Sequence, residues 1–298
     1  MIRIVTLGTS GSIPTPKSNP SCFAVKFGGT YLFDCSEGCQ RQMMKYGTNF
    51  GSVQAIFVSH LHADHFLGVF GLVHSLNFVG RREPLLIFGP KGTRKFFSTM
   101  FAMHEFKANF PIEITDVEAG KKPFYSNDLF TVRAFKVKHN APAALGFVLQ
   151  GLSYRRFDME KCAKVGVKGK IFSQLQNAGV VEVNDKKVKF EDVTYVQEGK
   201  KIVYTGDTAQ CAAIASNAKN ADLLIHDGCF TEKHKEHAKA KMHSTCLQAA
   251  QNAKKANAKK LLLTHFSNRY DDLTPLLGEA KTVFEATELA EQGKEILI

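Results

Sequence analysis

The stretch VQAIFVSHLHADHFLG places His60, His62, Asp64 and His65 directly after an apolar run. His60 and His62 are two apart, so an extended loop points both the same way. Asp64 and His65 follow where the chain turns into the next helix, and they face a second point. Imidazole and carboxylate suit zinc, manganese or iron, and a site for two cations needs a doubled ligand set of this kind. The plainer reading is a polar surface loop, but ligands this dense at a strand end are costly to hold without a purpose. Three more candidates lie at the ends of apolar runs: His139 closes FTVRAFKVKH, Asp207 closes KIVYTGD and His265 closes KKLLLTH. Each alone would more often be a structural residue. Each would reach the C-terminal edge of a strand, where α/β proteins place their sites. Together the seven suffice for a dinuclear centre with Asp207 bridging.

The elements that must hold these residues can be read from the patterning. In residues 1–150 strand-like runs (IRIVTLG, CFAVKF, TYLFDC, VQAIFVS, PLLIFGP, FTVRAFKV, ALGFVL) are interspersed with helical stretches such as FLGVFGLVHSL over 66–76. Residues 201–265 repeat the theme with KIVYTGD, ADLLIHD and KKLLLTHF, so the fold class is α/β. The run TCLQAAQNAKKANAKK over 245–260 predicts a helix with an Ala-rich side and a solvated basic side. Residues 151–200 lack continuous apolar runs but carry Arg155, Arg156, Lys161, Lys164, Lys168 and Lys170. They read as an insertion between two halves of a core, without a core of their own. Gly8-Thr9-Ser10-Gly11 resembles a phosphate cradle but lacks the Lys-Ser/Thr of a P-loop, so a tight turn is expected there.

Composition narrows the class. The 298 residues are 44% hydrophobic and 22% charged, a globular balance too apolar for disorder. No run approaches the roughly 18 apolar residues of a membrane helix, and the N-terminus lacks the features of a signal peptide. A cytoplasmic protein with no membrane partner is expected. The formal net charge of +11 favours anionic partners, nucleic acid above all. Seven cysteines without a secretory signal argue against a disulfide framework, and Cys35 and Cys39 read as small buried thiols.

The pattern H-x-H-x-D-H after a strand, with TGDT and LTHF further on, resembles the metallo-β-lactamase superfamily. TLGTSGSIP, LFDCSEGCQRQ, FVSHLHADHFLGVFGL, YTGDT and LLLTHFSNRY are similar to blocks of the ribonuclease Z family, the tRNA 3′-processing endonucleases. The resemblance covers nearly the whole chain. It implies a four-layer αβ/βα sandwich spanning 1–298, with an inserted tRNA-binding arm over 153–185. It also implies two zinc ions per chain, with manganese or iron as possible substitutes. His60, His62 and His139 would hold one ion, Asp64, His65 and His265 the other, and Asp207 would bridge. Asp64 would also orient the nucleophile. The implied general acid is His243 of the H-S-T motif. The family supports it with the Glu of H-E-A-T, where this chain reads His226-Asp227-Gly228-Cys229, so the one-methylene-shorter Asp227 would take that part. For His226 a supporting structural role is expected.

The resemblance implies precursor tRNA as substrate, cut after the discriminator nucleotide to leave a tRNA 3′-hydroxyl and a trailer 5′-phosphate. It also implies a homodimer in which one subunit's arm can serve the other's site. The arm's usual Pro-Pro-Gly-Pro tip is replaced by Val167-Lys168-Gly169-Lys170, where Lys168, Gly169 and Lys170 would meet phosphates. The family's P-x-K-x-R-N loop reads Pro14-Thr15-Pro16-Lys17-Ser18-Asn19 here, retaining Lys17 and Asn19 as substrate contacts without the Arg. Arg269 of THFSNRY would contact phosphate, or stand as an exposed cation. Two rival readings are a phosphodiesterase for cyclic nucleotides or other small diesters, which leaves the insertion unexplained, and an RNA-binding relative with a structural metal.

Overall fold

The computed structural model describes residues 1–298, and all side chains other than that of Glu105. The apolar runs pair into two seven-stranded sheets. The first runs Glu295–Leu297, Arg3–Gly8, Cys22–Lys26, Thr30–Phe33, Val53–Phe57, Leu85–Gly89 and Ile112–Asp116. Its pairings are antiparallel as far as Thr30–Phe33 and parallel from there on. The second runs Thr287–Leu289, Leu261–Thr264, Leu223–Asp227, Lys201–Tyr204, Leu145–Gly151, Phe130–Lys136 and Tyr125–Ser126. Here the first four strands are parallel, and Lys201–Tyr204 pairs antiparallel with Leu145–Gly151. Each sheet thus joins a parallel half to an antiparallel one. Parallel strands need crossover helices, which cover the sheet faces and account for the near-continuous apolar runs.

Alternate side chains of the two sheets meet in a shared aromatic layer. The Phe33 ring lies 6.0 Å from Phe147 and 5.5 Å from Tyr204, and Tyr31 meets Phe130 edge-on at 4.8 Å. Such pairs contribute about 0.5–1.5 kcal/mol each beyond their burial. On the far face of the first sheet, Val5, Leu32, Ile56 and Ile87 pack with Met43, Leu72, Leu76 and Phe97 of three helices. The second sheet is covered by Ile214, Ala249, Ala253 and Leu276 of three more. The helix Cys246–Lys255 buries its alanines, exposes Lys254 and Lys255, and begins with a capping box between Thr245 and Gln248. The order helix, sheet, sheet, helix is the expected four-layer sandwich.

The chain divides into two compact units, 1–150 with 200–298, and 151–199. The unit 151–199 matches the insertion read over 151–200, and the expected arm span 153–185 lies inside it, with Tyr154–Phe157 paired to Thr194–Gln197 and Val180–Val183 to Lys186–Lys189. One expectation is corrected here: the insertion has a core of its own, formed by Cys162, Val167, Leu175, Val183, Val188 and Val193. These residues come one or two per short element, so no continuous apolar run announces them. Val167 is buried in that core, and Lys168, Gly169 and Lys170 form an exposed turn between the helices Met159–Val165 and Ile171–Ala178. Gly169 has φ 54°, the left-handed region glycine adopts readily. Lys161, Lys164, Lys186 and Lys187 line a cavity of about 450 Å³ in this unit. The last two were not singled out in the sequence, because only the hairpin brings them beside the helix.

Candidate metal centre and active site

The seven ligand candidates converge at the carboxyl edges of the sheets. His60 lies three residues beyond the strand Val53–Phe57, Asp207 three beyond Lys201–Tyr204, His139 three beyond Phe130–Lys136, and His265 directly after Leu261–Thr264. Asp64 and His65 fall in the short helix Ala63–Phe66, which starts as the loop ends. Ring nitrogens of His60, His62 and His139 gather within hydrogen-bonding reach, His60 Nε2 to His62 Nδ1 at 2.9 Å and His139 Nε2 to the same atom at 3.3 Å. On the other side, His65 Nε2 lies 3.4 Å from Asp64 Oδ2, and His265 Nε2 lies 3.8 Å from it. Asp207 Oδ2 stands between the groups, 3.3 Å from His65, 3.1 Å from His265, 3.8 Å from His139 and 3.9 Å from His60.

This cluster fits divalent cations. His65 Nε2 and both ring nitrogens of His265 are buried without a hydrogen-bond partner, and such atoms are costly unless something takes their lone pairs. Among these seven residues, three ligand groupings lie within coordinating reach: His60, His62 and His139; His60, His65 and Asp207; and Asp64, His65 and His265. Burial and the neighbouring His65 lower the His60 pKa, which leaves an imidazole lone pair free. Burial alone would also lower His65, but the Asp207 and Asp34 carboxylates prevail and raise it, so positive charge is favoured at that ring. Burial opposes ionisation of Asp64, yet the adjacent His265 and His65 rings hold its carboxyl far below the usual range.

Asp34, which was not singled out in the sequence, organises the cluster from behind. It follows the strand Thr30–Phe33, is fully buried, and adopts φ 56°. Its Oδ2 accepts from His65 Nδ1 at 2.7 Å, Tyr204 OH at 2.6 Å and Ser59 Oγ at 2.9 Å, and its Oδ1 accepts from Ser59 N at 2.7 Å. Ser59 Oγ lies 3.0 Å from His60 Nδ1. Fixing Nδ1 of two histidines presents their Nε2 atoms to a metal. The one available signal was LFDC, an aspartate closing an apolar run like Asp207. The backbone of Gly11 leaves room for the His265 ring, since a Cβ there would stand 2.9 Å from it.

Beside the ligands, His243 Nδ1 lies 2.8 Å from Asp227 Oδ2, so the shorter carboxylate reaches its partner. Asp227 ends the strand Leu223–Asp227 and accepts from the backbone N–H groups of Thr208 and Cys229, each at 3.0 Å. Ser244 Oγ donates to Thr208 O at 2.6 Å, tying the H-S-T segment to the loop carrying Asp207. Burial would lower the His243 pKa, but the charge and hydrogen bond of Asp227 raise it to about 9. His226 is buried, with Nδ1 2.8 Å from Asp227 O and Nε2 3.0 Å from the Asn252 amide, which is a supporting role.

The substrate-contact candidates divide. Lys17 is exposed and lines a cavity of about 420 Å³ with Thr15, Phe266, Asn268 and Tyr270. Arg269 is exposed, 5.0 Å over the Phe230 ring, with Nη2 3.0 Å from His237 Nε2. The Asn19 amide donates to Glu37 O at 2.9 Å and its Oδ1 accepts from Gln42, and these bonds hold the loop. Lys168, Gly169 and Lys170 belong to the unit 151–199.

The β-lactamase superfamily domain matches residues 30–266, which span the strand leading to Asp34 through His265. The chain is 42% identical to ribonuclease Z of Methanosarcina mazei, covering 99% of this chain and 98% of that protein. It is 38% identical to ribonuclease Z of Haloferax volcanii over 99% and 94%. The human tRNase Z, short form, superposes with a TM-score of 0.73 at 25% identity, covering 99% of both chains. The metallo-β-lactamase fold protein YhfI of Bacillus subtilis superposes at 0.72 with 20% identity, a likeness of fold. A full-length match that takes in the fold, the ligand cluster and the inserted unit places the chain in the ribonuclease Z family of the β-lactamase superfamily.

Proposed function

We propose that the chain is a metal-dependent endoribonuclease that removes the 3′ trailer of precursor tRNA. The cut falls after the discriminator nucleotide and leaves a tRNA 3′-hydroxyl and a trailer 5′-phosphate. The observation that carries this within the site is the His243–Asp227 pair set beside seven converging ligands. Phosphodiester hydrolysis needs an activated water and a proton for the leaving 3′-oxygen, and the two sets of residues divide that work.

His60, His62 and His139 would hold one cation in this reading and Asp64, His65 and His265 a second, with Asp207 as the shared carboxylate. Zinc is proposed for both, and the donor set also accepts manganese or iron. Bound there, the pair supplies Lewis acidity that brings water ionisation towards neutral pH and offsets phosphate charge. Asp64 orients the attacking water through an ionised carboxylate that also accepts from Ser12 N at 3.0 Å. His243, protonated at neutral pH, donates to the departing oxygen from Nε2 while Asp227 fixes Nδ1. Lys17 and Arg269 contribute phosphate contacts near the cut.

The unit 151–199 serves as the tRNA-binding arm, and Lys168, Gly169 and Lys170 contact the RNA backbone. The chain acts as a homodimer in the cytoplasm; seven free cysteines suit a reducing compartment, and no described helix is long and apolar enough to cross a membrane. The test is cleavage of a 5′-labelled precursor tRNA with a 3′ trailer, mapped at nucleotide resolution with metal and with chelator. A single metal-dependent cut after the discriminator is expected. No cut, in a preparation that still hydrolyses a small phosphodiester, moves the assignment to a small-substrate phosphodiesterase.

A further inference from the structure

Directly behind the metal centre, Cys35 Sγ and Cys39 Sγ lie 3.1 Å apart, both fully buried. The two thiols are in hydrogen-bonding contact, and closing to a disulfide of about 2.05 Å would shorten the sulfur separation by about 1 Å. Cys35 follows Asp34, and Cys39 opens the helix Cys39–Lys45. The intervening turn is held on both sides: Cys39 N donates to Ser36 O at 3.1 Å, and Ser36 Oγ donates to Pro20 O at 2.9 Å. The same turn is tied to the segment carrying His65, since Cys35 N donates to His65 O at 2.8 Å and Gly68 N donates to Cys35 O at 2.9 Å.

We propose that Cys35 and Cys39 form an oxidisable pair whose disulfide clips the turn carrying Asp34 and thereby tightens the metal centre. Two S–H bonds break and one S–S bond forms; a low-molecular-weight disulfide accepts the two electrons and two protons and leaves as two thiols. Because the native turn already brings the sulfurs together, the bridge forms with the Asp34–His65 contact intact. It removes from the loosened state the freedom to swing Asp34 away, so metal release slows. Both thiols are shielded, so oxidation waits on local opening and runs slower than modification of the more accessible Cys211.

The test incubates metal-loaded protein with oxidised glutathione, then blocks free thiols and maps the trypsin peptides. Cys35 and Cys39 share the peptide 27–41, whereas Cys22 lies in the preceding one, so their bridge is internal to one peptide. The expected result is peptide 27–41 lighter by two hydrogens, a melting temperature raised by a few degrees, and metal transfer to a chelator slowed several-fold. Reductant reverses all three, and Cys39→Ser shows none of them. Alkylation of both thiols after prolonged oxidation overturns the proposal, as does a bridge from Cys22. A Cys35–Cys39 bridge that speeds metal release overturns it equally. The mapping needs no variant, so it stands even if Cys39→Ser folds poorly.

Discussion

Replacing Asp34 with Asn tests the organisation of the metal centre at constant shape. The carboxylate accepts from four donors, three on Oδ2 and one on Oδ1. An amide must turn its NH₂ towards one of these groups. Placed at Oδ1 it faces the Ser59 N–H, and placed at Oδ2 it faces His65 Nδ1, which then moves its proton to Nε2 and loses the metal-facing lone pair. In both orientations the charge-assisted bond to His65 is lost, and bonds of that kind contribute about 1.5–3 kcal/mol. Removal of such outer-sphere partners costs about 10–100-fold in metal affinity, or about 1.4–2.7 kcal/mol, in line with the bond itself. The assay is a competitive chelator titration of Asp34→Asn and the parent, with circular dichroism as the fold control. Tyr204→Phe is the companion variant: it removes one donor, leaves the charge and the His65 bond, and should lower thermal stability with little change in metal affinity. A folded Asp34→Asn protein binding metal within twofold of the parent would refute the role given to Asp34.

Three further outcomes follow from the geometry. His243→Ala should lower single-turnover cleavage by about 10²–10⁴-fold, the usual contribution of a general acid, with precursor tRNA affinity unchanged in a binding assay; cleavage at the parental rate would remove His243 from the mechanism. Leu175→Ala opens the small core of 151–199 at a cost of about 2–5 kcal/mol, so hydrogen exchange should rise there and tRNA cleavage fall while small-diester hydrolysis persists. Undiminished tRNA cleavage by a variant with that unit unfolded would detach the arm from recognition. Gly68→Ala would set a Cβ 1.9 Å from Ser36 O, pushing apart the turn and the helix after His65. Melting temperature and metal affinity should both drop, and an unchanged melting curve would count against this close approach.

The cluster of seven candidate ligands was legible because its chemistry is local. His60, His62, Asp64 and His65 occupy a single loop, and His139, Asp207 and His265 each follow an apolar run, so strand periodicity alone placed them at sheet edges. His243 and Asp227 were singled out through motif likeness, and only the folded chain brings them to a 2.8 Å contact. Other features depend on encounters between distant segments. Tyr204 reaches Asp34 across 170 residues, and Asn19, expected as a substrate contact, bonds to Glu37 O and Gln42. The core of 151–199 is not legible in the chain because its apolar residues are scattered over short elements and sum to a cluster only once the hairpins close. The Cys35–Cys39 contact is of the same kind: a spacing of four is visible in the chain, but the turn after Asp34 makes it a 3.1 Å approach. Residue type and spacing were enough to point to a metal-binding cluster at strand ends of an α/β fold, and the resemblance to a known family added the sandwich, because ligand chemistry and strand period are properties of short segments. Which polar groups hold those ligands in place, and which face inward, was settled by packing, because burial and hydrogen-bond partners exist only after the segments meet.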